Sequence, residues 1–494
     1  MFDATRVHWE ELRGQVEFPT RPFIGGRAAE GRGEPLPLIS PRDGAELAVV
    51  RTASEEDVDV AVRSARAAFE SGVWSGLAPR ERGRLLIGFA ERVHEHAEEL
   101  ALMISLEMGK PVREALQVEM RAVVNCLRWY GESADKLLDE SPVTPPDTLA
   151  LVTREPAGVV AAIVPWNFPL TMTAWKLGPA LVAGNSVVLK PDEHTSASAL
   201  RLGELAFEAG IPAGVLNVVP GYGRVAGRAL AEHHDVDVLT FTGSTTVGRK
   251  LLEYSGRSNG KRVWLELGGK TASVVLEDAD FERAVRASVE GCYYNQGQMC
   301  TAASRLLVPE HMLERALEIA AQVTAEMHPA DPLDLAAPMG SLVSRSHLER
   351  VQGFVDRART HGSRVISGEV PDQIAGEGAY FAPVVAVVGP DDELAQHEVF
   401  GPVLAVIPYG SEEEAIEIAN GTQFGLASVL WTNDLGRAHR LSRALRSGVV
   451  WINCFEEGDM TIPFGGVKGS GFGRDKSLHA IEKFTDLKTT WIQL

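Results

Sequence analysis

Two side chains are best suited to covalent chemistry: the cysteine of NQGQMCTAASR, residues 295 to 305, and the glutamate of VWLELGG, Glu266. Cys300 stands in a polar, glycine-bearing turn between two runs patterned as regular structure. A thiol in such a place is open to ionisation and to substrate, whereas Cys126 on its helix and Cys292 in VEGCYY read as small buried hydrophobes. Taken alone, a turn cysteine is as readily a structural thiol as a nucleophile. Glu266 ends an apolar strand, where a carboxylate is costly unless paired or used. Partial burial would raise its pKa toward that of a general base; the plainer alternative is an ion pair with Lys261 or Lys270.

The elements around them follow a pattern. From residue 157 short apolar runs alternate with amphipathic helices: AGVVAAIVP, NSVVLKP, GVLNVVPG, VDVLTFTG and KRVWLELGG read as strands. This predicts an α/β fold with a doubly wound parallel sheet, whose ligands bind beyond the carboxyl ends of the strands. Those ends carry PWN (Pro165, Trp166, Asn167), KPDE (Lys190 to Glu193), PGYGRVAG, TGST (Thr242 to Thr245) and ELGG (Glu266 to Gly269). Glycines for close backbone approach, a serine with amides for phosphate, and a lysine with a carboxylate for ribose hydroxyls are what a dinucleotide needs. The GxGxxxG of Gly221, Gly223 and Gly227 is one residue longer than the usual fingerprint, so the argument rests on five compatible endings.

Around this sheet, residues 54 to 139 are predicted to be helical, opening on a Ser54–Asp57 capping signal. Residues 141 to 156 turn into a proline-flanked strand suited to an arm. After Gly269 the alternation resumes, with strands at ASVVLED, SRLLVP, GLASVLWT and GVVWIN, giving a second α/β domain. The expected division is 1–137 with 153–266 as the dinucleotide-binding domain and 267–460 as the catalytic domain. Residues 138–152 with 475–494 are read as a small β oligomerisation arm.

Bulk properties narrow the function. The chain has 494 residues and a formal net charge of −19. That field repels nucleic acid and anionic membranes and favours a small-molecule substrate. Four scattered cysteines and a polar, acidic start point to reduced thiols in a cytoplasmic protein. No apolar run reaches the ~18 residues of a membrane span. The GxSxG-like GRSNG (Gly256 to Gly260) follows a helix and precedes a strand, the reverse of a hydrolase elbow. His94 and His96 fall on different faces of a helix and His233–His234 on a helix end, so no metal site is expected. SGFGRDKS lacks the context of a phosphate loop.

Together the segments PWNFPL, LKPDEHT, FTGSTTVG, LELGGK, NQGQMCTAASR, EVFGPV and PFGGVKGSGFGRD resemble the NAD(P)-dependent aldehyde dehydrogenases, in order and spacing over almost the whole chain. The resemblance implies Cys300 as nucleophile, Glu266 as general base, and the Asn167 amide with the Cys300 N–H as oxyanion hole. It implies Lys190 and Glu193 on the adenosine ribose, Ser244 on the pyrophosphate, Glu398 on the nicotinamide ribose and Phe400 beside the nicotinamide. Ile163, Pro165, Trp166, Gly223, Gly227, Phe241, Gly243, Val247 and Gly268 would complete the NAD crevice. Aldehyde oxidation would then pass through a thiohemiacetal and a thioester. A carboxylate at Glu193 favours NAD over NADP.

The ending GDMTIPFGG with GRDKSLHAIEKFTDLKTTWI is similar to the bacterial branch that oxidises γ-glutamyl-γ-aminobutyraldehyde and other polyamine-derived aminoaldehydes. KGSGFG in place of KQSGNG, and Cys454, Phe455 and Glu456 in NCFEEGDM, depart from that branch. Glu456, Glu457 and Asp459 suit a positively charged substrate, unless they form only a solvated loop. A broad aliphatic or hydroxy-aldehyde dehydrogenase, a CoA-acylating variant, a cofactor-free thiol hydrolase and a silent relative are the alternatives. A homodimer or homotetramer is expected.

Overall fold

The computed structural model describes residues 2–374, 376 and 378–494. The five alternating apolar runs pair as parallel strands: β1 (Val159–Ile163), β2 (Ser186–Lys190), β3 (Leu216–Val218), β4 (Val238–Gly243) and β5 (Arg262–Leu267). Their order is β3-β2-β1-β4-β5, extended by short antiparallel strands Phe23–Ile24 beside β3 and Gly471–Phe472 beside β5. All residues of β1 and β2 are buried, as continuous apolar strands require when helices cover both faces of a sheet. The direction of winding reverses between β1 and β4, so the crevice opens beyond their carboxyl ends.

The helical layer starts where the sequence predicts. Ser54 and Asp57 form a reciprocal capping box at 3.2 and 3.0 Å, and the helix Glu55–Glu70 stops before Gly72. Residues 112–133 are not one regular helix: a wide π turn, Ala115–Met120, precedes α1 (Arg121–Ser133). The turn rotates the buried Glu119 inward, where it binds the Lys110 ammonium and accepts from the N–H groups of Leu170 (3.1 Å) and Thr171 (3.3 Å). Those are orphan donors at the start of α2 (Pro169–Val182), so a buried carboxylate anchors the helix that follows Asn167. Across the switch point, α3 (Thr245–Arg257) follows β4, with Ser244 as its N-cap.

Only residues 268 to 271 separate β5 from β6 (Ala272–Val275), the first strand of the second sheet. Helix α4 (Phe281–Tyr293) then leads to the Cys300 loop and β7 (Arg305–Pro309). Beside these lie β8 (Val384–Val387), β9 (Val403–Tyr409), β10 (Ala427–Trp431) and β11 (Val449–Ile452), in the order β8-β9-β7-β6-β10-β11. The antiparallel strand Arg364–Ser367 closes the β8 edge. The sequence pattern found β6, β7, β10 and β11; β8 and β9 hide in apolar runs whose period does not separate strand from buried helix.

Thr148–Pro156 and Thr485–Gln493 pair over their full length as a two-stranded ribbon outside both sheets. It bares Leu487, Trp491 and Ile492. Among the described residues, no helix is long and apolar enough to cross a membrane.

Arg305 braces the link between the two sheets against the second one. It is 2% exposed and donates to the carbonyls of Lys270 (3.0 Å), Ile418 (2.8 Å) and Ala419 (2.7 Å). Arg305→Met orphans three buried carbonyls and should lose roughly 3 kcal/mol or more in guanidinium unfolding. A loss below about 1 kcal/mol would show that the carbonyls find other donors.

Candidate active site

The Cys300 loop is held open by strained backbone. Asn295 (φ 50°), Gln296 (φ 58°) and Gly297 (φ 68°) are consecutive left-handed residues directly after α4. Two of them are not glycine, so the surroundings must stabilise the conformation. They do so through Gln298: its carbonyl accepts from Asn167 Nδ2 (2.9 Å) and Asn295 Nδ2 (3.0 Å), and its side-chain oxygen from the Val343 N–H (2.9 Å). Asn295 Nδ2 also reaches the Asn167 carbonyl at 3.1 Å. Asn167, from the end of β1, is thus locked to the cysteine loop of the other domain. An amide NH₂ has two donors, and only the one on Gln298 is engaged among the described residues.

Glu266 reaches the same place from β5. It is 4% exposed, and one carboxyl oxygen has no hydrogen-bond partner among the described residues. Neither alternative ion pair forms among the described residues: Lys261 Nζ bonds to the Ala231 carbonyl (2.6 Å) and Ser258 (3.1 Å), and Lys270 Nζ has no hydrogen-bond partner among them. Nearby, the buried ammonium groups of Lys176 on α2 and Lys483 both bind Asp475. Burial pushes the Glu266 carboxyl well above the usual range and the Asp475 charge adds to this, outweighing Lys176, Lys483 and Arg474.

The Cys300 thiol is half-buried, unlike the buried Cys126 and Cys292. Burial pushes Cys300 well above the usual thiol range, helped by the carboxylates of Glu266, Glu456 and Glu398; its own backbone N–H is the counterweight. The half-buried thiol keeps the access expected of it, while its surroundings disfavour the thiolate. Polar neighbours turn their groups on one another, and the nearby charges are negative. Thiol and carboxyl each disfavour ionisation of the other, so they titrate as a pair.

The residues expected to hold a dinucleotide line the crevice edge. Ile163, Pro165 and Trp166 close β1, and Phe241 and Gly243 close β4. Lys190 Nζ lies 3.7 Å from Glu193, whose carboxylate also accepts from the Gly223 N–H at 2.6 Å. Gly223 and Gly227 bound a π turn, and Gly227 lies along the Lys190 stem. The Ser244 hydroxyl already accepts from the Val247 N–H (3.3 Å), which leaves the other amides of the α3 start for an anion. Glu398 accepts from the Gly269 N–H (3.1 Å), and a Cβ on Gly268 would lie 2.2 Å from its carboxylate. Phe400 (φ 60°) meets Trp166 edge-on at 5.3 Å. Aromatic walls, an unblocked helix start and a paired lysine and glutamate fit a dinucleotide.

Sequence reasoning missed four groups that shape this edge. His347 bonds to the Phe400 carbonyl (2.7 Å) and packs on Trp166; burial pushes it down to about 4. Arg350 donates to the Val399 (2.6 Å) and Glu398 (3.0 Å) carbonyls, fixing the Phe400 turn. Lys176 and Asp475 are the others. Lys176 had a signal, a lone cation in the apolar helix LTMTAWKLGPALV; the rest lie far apart in sequence. Among the described residues, no group of His, Cys, Asp and Glu could hold a metal ion.

A doubly wound sheet with its crevice at the strand reversal, faced by a cysteine loop from a second sheet, is the architecture of a dehydrogenase. Residues 28–490 match the model of the aldehyde dehydrogenase family. The NADP/NAD-dependent aldehyde dehydrogenase PuuC of Escherichia coli K12 is 46% identical over 491 residues, covering 99% of this chain and 98% of its own. Two solved structures superpose over 100% of both chains. They are the P. syringae indole-3-acetaldehyde dehydrogenase AldA with NAD+ and IAA (47% identity, TM-score 0.97) and the Burkholderia cenocepacia J2315 gamma-glutamyl-gamma-aminobutyraldehyde dehydrogenase (46%, 0.96). The chain belongs to the aldehyde dehydrogenase family.

The coupled pair is open to direct titration. Iodoacetamide modification of Cys300, followed on its own peptide by mass spectrometry, should have its midpoint above that of a free thiol, near pH ~8.5. Glu266→Gln removes a negative neighbour and should move the midpoint down. An unmoved midpoint would show that the two groups do not interact.

Proposed function

We propose that this enzyme oxidises an aminoaldehyde to its carboxylic acid with NAD, through a covalent intermediate on Cys300. The observation that carries the mechanism is the convergence of Cys300, Glu266 and Asn167, from different elements, at the crevice edge. Cys300 sulfur adds to the aldehyde carbon, its proton leaving through the adjacent carboxyl system. The oxyanion is met by the unused Asn167 N–H and the Cys300 backbone N–H, two donors held in a water-poor site. NAD, held along the crevice edge by the residues named below, would supply the acceptor for the hydride that leaves this carbon as the thioester forms. Glu266 takes a proton from the water that attacks the thioester, which releases the acid and restores the thiol. A carboxyl group with a raised pKa is suited to that proton, and Asp475, held by Lys176 and Lys483, keeps it raised.

For the cofactor, Lys190, Glu193 and the α3 start would hold the adenosine half, and Glu398, Phe400 and Trp166 the nicotinamide half. Glu193 is fixed by the Gly223 N–H and Lys190, so a 2′-phosphate would meet a carboxylate held in place. The aminoaldehyde reading draws on this chain's similarity to the Burkholderia cenocepacia gamma-glutamyl-gamma-aminobutyraldehyde dehydrogenase and on the acidic loop at Glu456. Glu456 is exposed on that loop, where its carboxylate is available to a cationic substrate group. The ribbon of Thr148–Pro156 and Thr485–Gln493, with its bare apolar side chains, is the surface we assign to subunit contacts. Four free cysteines suit a reducing cytoplasm.

The test is NADH production at 340 nm with aliphatic and aminoaldehydes. Cys300→Ala should abolish turnover, and retained turnover would overturn the mechanism. Much higher kcat/KM for neutral aliphatic aldehydes would overturn the substrate class. Glu193→Gln should narrow the preference for NAD over NADP by about tenfold, the loss of roughly 1.4 kcal/mol. An unchanged ratio would place the discrimination elsewhere.

A further inference from the structure

A small antiparallel hairpin, Pro35–Ile39 with Glu46–Arg51, stands apart from both main sheets, and its open end is tied to the turn after β3. The Gly33 N–H donates to the Thr52 carbonyl (2.8 Å), and the Thr52 hydroxyl donates to the Glu34 carbonyl (2.6 Å). The next residue, Ala53, donates its N–H to the Pro220 carbonyl at 2.7 Å. Gly221 fits this junction closely, since a Cβ there would lie 3.3 Å from the Ala53 carbonyl oxygen. Glu34 is thereby held beside the turn, and its carboxylate accepts from Arg224 Nη2 at 2.8 Å. The same guanidinium lies over the Tyr222 ring at 4.6 Å.

Arg224 comes one residue after the amide that Glu193 grips. The Gly223 N–H donates to Glu193 at 2.6 Å, and consecutive Cα atoms stand ~3.8 Å apart. A side chain as long as arginine's, rooted there, can turn to either carboxylate, and it takes Glu34. The other cations point elsewhere. Lys190 is buried and shared between Glu193 (3.7 Å) and the Pro191 carbonyl (2.8 Å). Arg32 turns to Glu56 (3.3 Å) and Asp57 (3.7 Å) at the start of the next helix. The Arg224 and Glu34 side chains are 65% and 71% exposed, so water competes for both and the pair is held weakly. A phosphate brings ~1.5 to 2 negative charges at neutral pH, and a guanidinium meets it with two parallel donors.

We propose that Arg224 and Glu34 set the choice between NAD and NADP. With NAD, Arg224 stays on Glu34; with NADP it leaves Glu34 for the 2′-phosphate and offsets the charge of Glu193. Glu34 acts through Arg224 and touches neither cofactor. NADP affinity is lowered by the fraction of Arg224 that Glu34 retains, so NADP is accepted as the weaker cofactor. This rests on the reading above that Lys190 and Glu193 hold the adenosine ribose, and adds the residues that set how strongly a 2′-phosphate is refused.

The experiment is calorimetric binding of NAD+ and of NADP+ to the purified enzyme without aldehyde. It compares the wild type with Arg224→Gln, Glu34→Gln, the double variant and Lys190→Met. Arg224 and Glu34 are exposed, so substitution there should leave the fold intact. Arg224→Gln should weaken NADP relative to NAD by about tenfold, the loss of a charge-assisted pair. Glu34→Gln should strengthen NADP relative to NAD by about threefold, and that gain should vanish in the double variant. Lys190→Met should weaken both cofactors. A ratio that Arg224→Gln changes by less than about twofold, with Lys190→Met weakening both, overturns this proposal alone. A Glu34→Gln gain that persists without Arg224 also overturns it, because removal of a negative charge then accounts for the gain. If Lys190→Met weakens neither cofactor, the ribose reading fails and the proposal with it.

Discussion

The link between β5 and β6 leaves no space for two side-chain carbons, and the site depends on that crowding. A Cβ on Gly268 would fall 2.2 Å from the Glu398 carboxylate, and one on Gly269 would fall 2.5 Å from the Cys300 carbonyl. With backbone this close, the carboxyl edge of the first sheet abuts the amino edge of the second. Glu266 arrives at the end of one strand and Cys300 just before another. Arg305 seals the junction by bonding to the Lys270 carbonyl from the far side of the cysteine loop.

Close packing has an electrostatic consequence. Glu266 is buried, Glu398 and the thiol are half-buried, and each is pushed toward its neutral form. Positive charge is kept on one side, where Lys176 and Lys483 are spent on Asp475. The resting site therefore holds its protons, and chemistry begins when a ligand changes that balance. Glu398, pushed up to about 7 by burial against the Gly269 N–H and Lys270, lies where such a ligand would act on it.

The helices set access. The π turn at Ala115–Met120 turns Glu119 in, to fix the start of α2, and leaves Arg121 facing an outer recess. One local irregularity thus anchors the helix that follows Asn167 and places a cation outside it. An unbroken helix would not present both residues as they stand here.

Much was legible in the sequence because it is carried by local pattern. Five apolar runs with glycine-rich endings predict the parallel sheet, its crevice and the residues along it, and Ser54 with Asp57 predicts a helix start. The order of NQGQMCTAASR and LELGGK identifies thiol and carboxyl group as candidates. The sequence could not show that Asn167 and Asn295 share the Gln298 carbonyl, residues up to 131 apart along the chain. Nor could it show that Lys176 and Lys483 meet at Asp475, or that the charges nearest the Cys300 thiol are negative. Patterning determines which residues form strands and turns, because it reflects the local burial of each side chain. Ionisation and donor geometry are decided by distances between remote segments, which the tertiary structure alone fixes.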